Sequence, residues 1–193
     1  MKVLLINGSR REKGCTYTAL DIVAKTLNEN GIDTEILFVG KRAANGEIDA
    51  LVSEAKELLK TADGLVVGSP VYYASPSGEV QMFLDRLFIT AGSDLRLKPA
   101  AAVVSARRAG TSASFDVLNK YFTITEMPVV SSNYWNMVHG NSPEEVLKDE
   151  EGVQIMQLLG RNMAWLLKSI EAGKAAGVEQ PALVQKNKTN FIR

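Results

Sequence analysis

A single cysteine, a single histidine and no surplus charge of either sign mark what this 193-residue chain lacks. Cys15 has no second thiol in the chain, so an intrachain disulfide is excluded and a reducing compartment suits it. Lys and Arg number 22, as do Asp and Glu, which leaves neither a broad basic field for nucleic acid nor an acidic tail. Long apolar runs are missing too. Only Val3-Leu4-Leu5-Ile6 precedes Asn7, too short for a signal-peptide core, and no later run approaches membrane-spanning length. A cytoplasmic protein with no membrane partner and no nucleic-acid partner is expected. Two phosphate-binding signatures are also absent: the Walker loop with its Gly-Lys-Ser/Thr and the dinucleotide fingerprint Gly-x-Gly-x-x-Gly.

What is present is an alternation of short apolar runs with helical patterns. Strands are predicted at Val3–Ile6, Thr34–Val39, Leu65–Val67 and Ala100–Val104, with a fifth starting near Pro128-Val129-Val130. Between them, Leu20, Val23, Ala24 and Leu27 recur at helical spacing, with Gly31 as a stop. The same spacing holds for Leu51, Ala55, Leu58, Leu59 and Ala62, then for Val80, Phe83, Leu84, Leu87 and Phe88. A fourth helix is predicted over about 112–122, and a long last one carries Met156, Leu159, Met163, Leu166, Leu167 and Ile170. Strands apolar on both faces, linked by helices, imply right-handed crossovers and a parallel sheet buried on both sides. Such sheets bind ligands beyond the carboxyl ends of their strands, at the switch point, so the loops after strands one, three and four are the candidate site. The length suits one domain, residues 1–183, followed by a polar tail over 184–193 expected to fray. Two connections, 40–48 and 131–143, are longer than the alternation requires.

The loop after strand one reads Gly8-Ser9-Arg10-Arg11-Glu12-Lys13-Gly14-Cys15-Thr16-Tyr17-Thr18. A loop entering a helix N-terminus presents unpaired N–H groups at the positive end of a dipole. Ser9, Thr16 and Thr18 add hydroxyls and Arg11 a charged fork, a set suited to a phosphate monoester. A solvated loop with a Ser or Thr cap accounts for the same residues. Cys15 has no histidine near it in sequence to activate it, although a helix N-terminus would lower its pKa. The loop after strand three, Gly68-Ser69-Pro70-Val71-Tyr72-Tyr73-Ala74-Ser75-Pro76-Ser77-Gly78-Glu79, offers two tyrosines as flat walls for a planar ring. Ser75-Pro76 reads as N-cap and first residue of the next helix. The alternative is one tyrosine in the core and the other in solvent.

Taken together, Gly8-Ser9-x-Arg11-x-x-Gly14-x-Thr16 and Gly68-Ser69-Pro70-Val71-Tyr72-Tyr73 with Phe83-Leu84-Asp85-Arg86 resemble the NADPH-dependent FMN reductase family. The resemblance runs over about residues 2–122 and lies near the branch of iron–sulfur flavoproteins. It implies an α/β, flavodoxin-like fold: a five-stranded parallel sheet in the order 2-1-3-4-5 with helices on both faces. It implies FMN as cofactor, with NADPH or NADH as reductant. Ser9, Arg11, Cys15 through its backbone, Thr16, Tyr17 and Thr18 would hold the phosphate. Pro70, Val71, Tyr72 and Tyr73 would line the isoalloxazine, with Ser77 and Gly78 close behind. Ser105, Ala106, Arg107, Arg108 and Gly110 would face its pyrimidine end, unless the two arginines are solvated or paired with surface acids. Arg10 and Cys15 stand where the family often has Pro and Asn. The cluster cysteines that the branch carries in the segment matching 40–48 are absent, so no iron–sulfur cluster and no metal is expected.

The activity implied is NAD(P)H oxidation by hydride transfer through FMN to a quinone, flavin, azo or nitro compound or another acceptor. No catalytic side chain is required, because the cofactor carries the chemistry. A non-enzymatic electron carrier, a regulatory flavin module and a phosphate-binding domain without flavin are the alternatives. A homodimer or tetramer is expected, completed through Tyr134, Trp135, Asn136 and His139 of the amphipathic segment Ser131–Gly140. Trp135 packed over the sheet edge is the competing expectation.

Overall fold

A computed structural model describes residues 1–191. The last two positions of the predicted fraying tail, 192 and 193, lie outside the described residues. The order is β1 (Lys2–Asn7), α1 (Cys15–Glu29), β2 (Asp33–Phe38), α2 (Gly40–Ala44), α3 (Ile48–Leu59), β3 (Gly64–Tyr72) and β4 (Ser75–Pro76). Then come α4 (Gly78–Leu95), β5 (Ala100–Ala106), α5 (Thr111–Ile124), β6 (Met137–His139), α6 (Pro143–Val146) and α7 (Glu150–Ala175).

Five strands run parallel in the order β2-β1-β3-β5-β6, the flavodoxin-like arrangement that the resemblance implied. The two-residue β4 is an antiparallel addition to the end of β3. Side chains alternate across the sheet, so each central strand feeds two cores. Leu4, Ile6, Leu65, Val67, Ala102 and Val104 meet α3, α4 and α5 on one face. Val3, Leu5, Val66, Ala101 and Val103 meet α1 and α7 on the other. The chain leaves β1 toward β2 on one side and returns to β3 on the other, so the switch point opens above β1 and β3.

Three local expectations are corrected. The fifth strand does not start near Pro128–Val130. There the chain makes one isolated bridge, Ala100 with Val129, and then leaves the ladder. Ser132 closes a local turn, its hydroxyl donating to the Tyr134 carbonyl at 2.6 Å, an alternative to sheet pairing that short polar side chains provide. Pairing resumes at Met137–His139 beside Val104–Ala106. The helix after strand three begins at Ser77, whose hydroxyl accepts from the Val80 N–H, because Ser75-Pro76 is taken up in the hairpin with Val71-Tyr72. The long connection at 40–48 contains α2. Its first residue packs so closely that a Cβ on Gly40 would lie 2.1 Å from the Ser9 carbonyl oxygen.

Candidate functional site

At the carboxyl ends of β1, β3 and β5 lies a cleft of about 220 Å³ lined by Ser9, Arg11, Cys15 and Thr16 on one side. Pro70, Val71, Tyr72, Ser105, Ala106 and Arg107 form the rest of the wall, with Gly140 and Asn141 closing it.

The phosphate-loop side is built from Asn7, the last residue of β1 and fully buried. Its side-chain oxygen accepts from the Ser9 N–H at 3.1 Å and its amide donates to the Glu12 carbonyl at 2.8 Å. The Ser9 hydroxyl in turn accepts from the Arg11 N–H at 3.1 Å. Helix α1 then starts open. Its N-cap is Gly14, no side chain caps it, and its first turn carries no acid. The Thr18 N–H bonds to the Gly14 carbonyl at 3.0 Å, so the amides of Cys15, Thr16 and Tyr17 precede the regular helical bonds. By contrast, α4, α6 and α7 are closed by Ser77, Ser142 and Asp149. An open N-terminus free of acid, beside an exposed Arg11, attracts an anion.

The ring side rests on a network of hydroxyls beneath the surface. Ser77 donates to the Gly8 carbonyl at 2.9 Å, and its N–H donates to the Ser69 hydroxyl at 2.9 Å. This joins the first loop, β3 and α4, and buries Ser77 completely. Thr16 and Ser105, both buried, share a 2.8 Å hydrogen bond that ties α1 to β5 across the floor of the cleft. Beyond β5, Gly110 enters α5 at φ 94°, also with no side-chain cap.

The structure thus gathers Ser9, Arg11, Cys15, Thr16, Pro70, Val71, Tyr72, Ser105, Ala106 and Arg107 around one cleft. Tyr17 is turned away, into a groove with Lys13, Asp21 and Phe38. The Thr18 hydroxyl is taken by the Gly14 carbonyl. Tyr73, Gly78 and Arg108 are exposed and outside the lining. Cys15 departs from the expected acidified thiol: burial pushes its pKa up, while its own backbone amide and Arg11 pull the other way. Its sulfur reaches the Gly140 carbonyl at 3.6 Å. Asn136, expected at a rim or an interface, is buried, its amide donating to the Ala102 carbonyl at 3.1 Å. The His139 N–H donates to Asp149 at 2.7 Å. Tyr134 and Trp135 are about half exposed and tilt against each other at 5.1 Å. Asn7 carried no sequence expectation, and Gly140 and Asn141 lie in the long connection 131–143 without having been singled out as site residues. A polar residue ending the apolar run of β1 was the available signal for Asn7.

Among the described residues no Asp, Glu or His lines the cleft, and its titratable side chains are Arg11, Cys15, Tyr72 and Arg107. Among the described residues no cluster of His, Cys, Asp and Glu has the makings of a metal site. No helix among them is long and apolar enough to cross a membrane.

Known proteins are similar to this chain in sequence or in fold. An iron–sulfur flavoprotein of Methanocaldococcus jannaschii is 29% identical over 192 residues, covering 89% of this chain and 100% of the relative. An NADPH azoreductase of a Bacillus species is 31% identical over 119 residues, 58% of this chain and 64% of that one. Among solved structures, RosB with a bound riboflavin 5′-phosphate derivative superposes at a TM-score of 0.71, with 16% identity over 100% of this chain and 92% of that one. An NADH:FMN oxidoreductase gives 0.65, with 22% identity over 87% and 89%. The profile of the NADPH-dependent FMN reductase family matches residues 1–142, whose cofactor is FMN and whose reductant is a reduced nicotinamide. The chain belongs to the NADPH-dependent FMN reductase family.

Proposed function

We propose that this protein is an NAD(P)H oxidoreductase that holds FMN in the cleft above β1, β3 and β5 and passes electrons to a small acceptor such as a quinone, a flavin, or an azo or nitro compound. The observation that carries this reading is the open N-terminus of α1 with Arg11 beside it, facing a cleft whose far wall brings Pro70, Val71 and Tyr72 together with Ser105 and Arg107. FMN, when bound, supplies the two-electron chemistry. The chain supplies the rest. The amides at the start of α1, the Ser9 hydroxyl and Arg11 bind the phosphate. Val71 and Tyr72 would wall the ring, and the Ser105–Arg107 segment would offer it polar contacts. Arg107 would place positive charge in the cleft, which would favour the electron-rich reduced state. The buried Thr16–Ser105 pair fixes the two walls relative to each other.

Asn7 and Ser77 act one layer beneath, as positioning residues. A chain with one cysteine supplies no four-thiolate cluster, so the reading is a flavin enzyme without the cluster its archaeal relatives are named for. A cytoplasmic setting suits the free thiol. We also propose self-association through the exposed Tyr134–Trp135 pair, which sedimentation of the native protein tests.

The functional test is direct. Denatured protein is expected to release FMN, and anaerobic NADPH or NADH is expected to bleach the yellow holoprotein, with colour returning on addition of a quinone. FAD as the released flavin, or a holoprotein that neither nicotinamide bleaches, would contradict the reading.

A further inference from the structure

Where α7 passes the segment 128–131, two hollows of about 350 Å³ each lie one after the other. Pro128, Ile170 and Gly173 line the first, together with Val178 and Pro181 of the C-terminal segment. Val129, Val130, Trp165 and Leu166 line the second. They form one seam, since Pro128 and Val129 adjoin and Leu166 and Ile170 stand about one helical turn apart. Asn162 fixes its walls by donating to the Ser131 carbonyl at 2.8 Å. Trp165 nevertheless stays 70% exposed, and the half-exposed Tyr134 and Trp135 follow soon after Ser131. A large indole left in solvent beside an apolar hollow marks an interaction surface.

The C-terminal segment has the complementary character. Arg96, paired with Glu126, donates to the Pro181 and Ala182 carbonyls at 3.0 and 3.5 Å, which holds the segment at the first hollow. Leu183 and Val184 come directly after and are 76% and 82% exposed. Lys186 and Lys188 follow, and no acidic residue stands beyond Glu179. On α7 the matching charge is Glu151, exposed and without a cation within 4.0 Å among the described residues. It precedes Asn162 by about three helical turns, so it lies on the seam's side of α7, roughly 16 Å along the axis. Extended chain from Val184 to Lys188 spans about 13 Å, and the lysine side chain covers the remainder. A segment that seats Leu183 and Val184 in the second hollow and runs toward the start of α7 therefore brings Lys188 to Glu151.

We propose that this seam receives the C-terminal segment of a second copy of the chain, so that two copies exchange Leu183–Lys188 reciprocally. A closed two-fold pair needs surfaces that complement each other within one chain. This chain carries both: an uncovered apolar hollow with an acid beyond it, and an uncovered apolar segment with lysines beyond it. The chain's own segment is the competing occupant. Against it, Arg96 already holds that segment beside the seam, and Leu183 and Val184 still stand in solvent. The inference rests on the self-association proposed through Tyr134 and Trp135 and is independent of the flavin chemistry.

The test is sedimentation of the full chain over a concentration series at low ionic strength. The wild type is expected to dimerise. The double variant Leu183→Ser/Val184→Ser should raise the dimer dissociation constant at least about a hundredfold, because two aliphatic side chains lose their burial at each of two sites. Its melting temperature, compared at a concentration where both proteins are monomeric, should match the wild type, since both residues are exposed in the single chain. Glu151→Lys and Lys188→Glu should each weaken association about three- to tenfold. An equimolar mixture of those two variants should regain wild-type association, because every exchanged contact then joins a lysine to a glutamate again. A dimer that Leu183→Ser/Val184→Ser leaves intact would overturn the exchange and spare the contact through Tyr134 and Trp135, whereas a wild-type monomer would remove both. A mixture that restores nothing would assign the segment to its own chain and overturn the exchange.

Discussion

At the amino ends of the strands lies a hollow of about 300 Å³, lined by residues that include Met1, Asp63, Asp94, Arg96, Lys98 and Lys174. It is larger than the cleft of about 220 Å³ at the carboxyl ends. The two differ in what their polar groups do. In the larger hollow Arg96 donates to Glu126 at 2.8 Å and to the Pro181 carbonyl at 3.0 Å, strapping the C-terminal segment down. Lys98, its pKa lowered by burial, donates to the Leu59 carbonyl at 2.7 Å, and Asp63 accepts from the Lys2 N–H at 2.9 Å. These groups already have partners. In the cleft, neither Arg11 nor Arg107 has a carboxylate within 4.0 Å among the described residues, and α1 is left without a cap. Two exposed cations without a carboxylate and an uncapped helix end attract an anion, so these groups point to a ligand better than volume does.

Substitutions at the two ends should therefore separate binding from folding. The largest effect is expected from Arg11→Ala. Losing one charge-assisted hydrogen bond to the phosphate should cost about 1.5–3 kcal/mol of FMN affinity. Flavin titration reads the loss, and the melting temperature of the flavin-free protein should hardly move, because Arg11 is exposed. Asn7→Ala should affect both properties. It strips the Ser9 N–H and the Glu12 carbonyl of their partners and should lower stability by about 1–3 kcal/mol. FMN binding should weaken as the loop loses its shape; a denaturant titration beside a flavin titration checks the pair.

Arg96→Ala should do the reverse of Arg11→Ala. Its ion pair to the half-exposed Glu126 and its carbonyl contacts should be worth about 1 kcal/mol together, lowering the melting temperature by about 2–4 °C with FMN affinity unchanged. Equal effects of Arg11→Ala and Arg96→Ala on flavin binding would erase the distinction between the two ends. The smallest effect concerns Cys15. Its pKa is raised, chiefly by burial, above the ordinary thiol value of 9.0. The thiolate fraction is therefore lower than that of a free cysteine throughout neutral and mildly alkaline pH, and iodoacetamide labelling should be slower than that of a free cysteine at each pH there and still be rising at 9.0. Bound FMN should slow it further, since Cys15 lines the cleft.

Much of this was legible in the sequence, for reasons that can be located. Val3–Ile6 and Ala100–Val104 are apolar on both faces, which dictates buried parallel strands and hence a site at their carboxyl ends. Pro128-Val129-Val130 has the same apolar look, but the diversion at Ser132 depends on a side-chain bond to the Tyr134 carbonyl that no periodicity displays. That error hid Gly140 and Asn141, which reach the cleft only because β6 ends beside β5. The hairpin at Tyr73-Ala74 was invisible because it lacks the Asn-Gly or Asp-Gly pair that announces such turns, and Ser75-Pro76 imitates a helix start. The exit of Tyr17 from the cleft could have been foreseen. Each helical residue turns about 100°, so Cys15 and Thr16 cannot share their side of the helix with Tyr17 for long.

The central claim is that the open end of α1 holds a phosphate, and comparing FMN with riboflavin tests it most directly. Flavin-free protein titrated with each should bind FMN at least about a hundredfold more tightly, as expected for two charge-assisted hydrogen bonds or their equivalent from amides and Arg11. Equal affinity for the two flavins would contradict the account, because it would mean that the cleft recognises the ring alone and that α1 has no part in holding the cofactor.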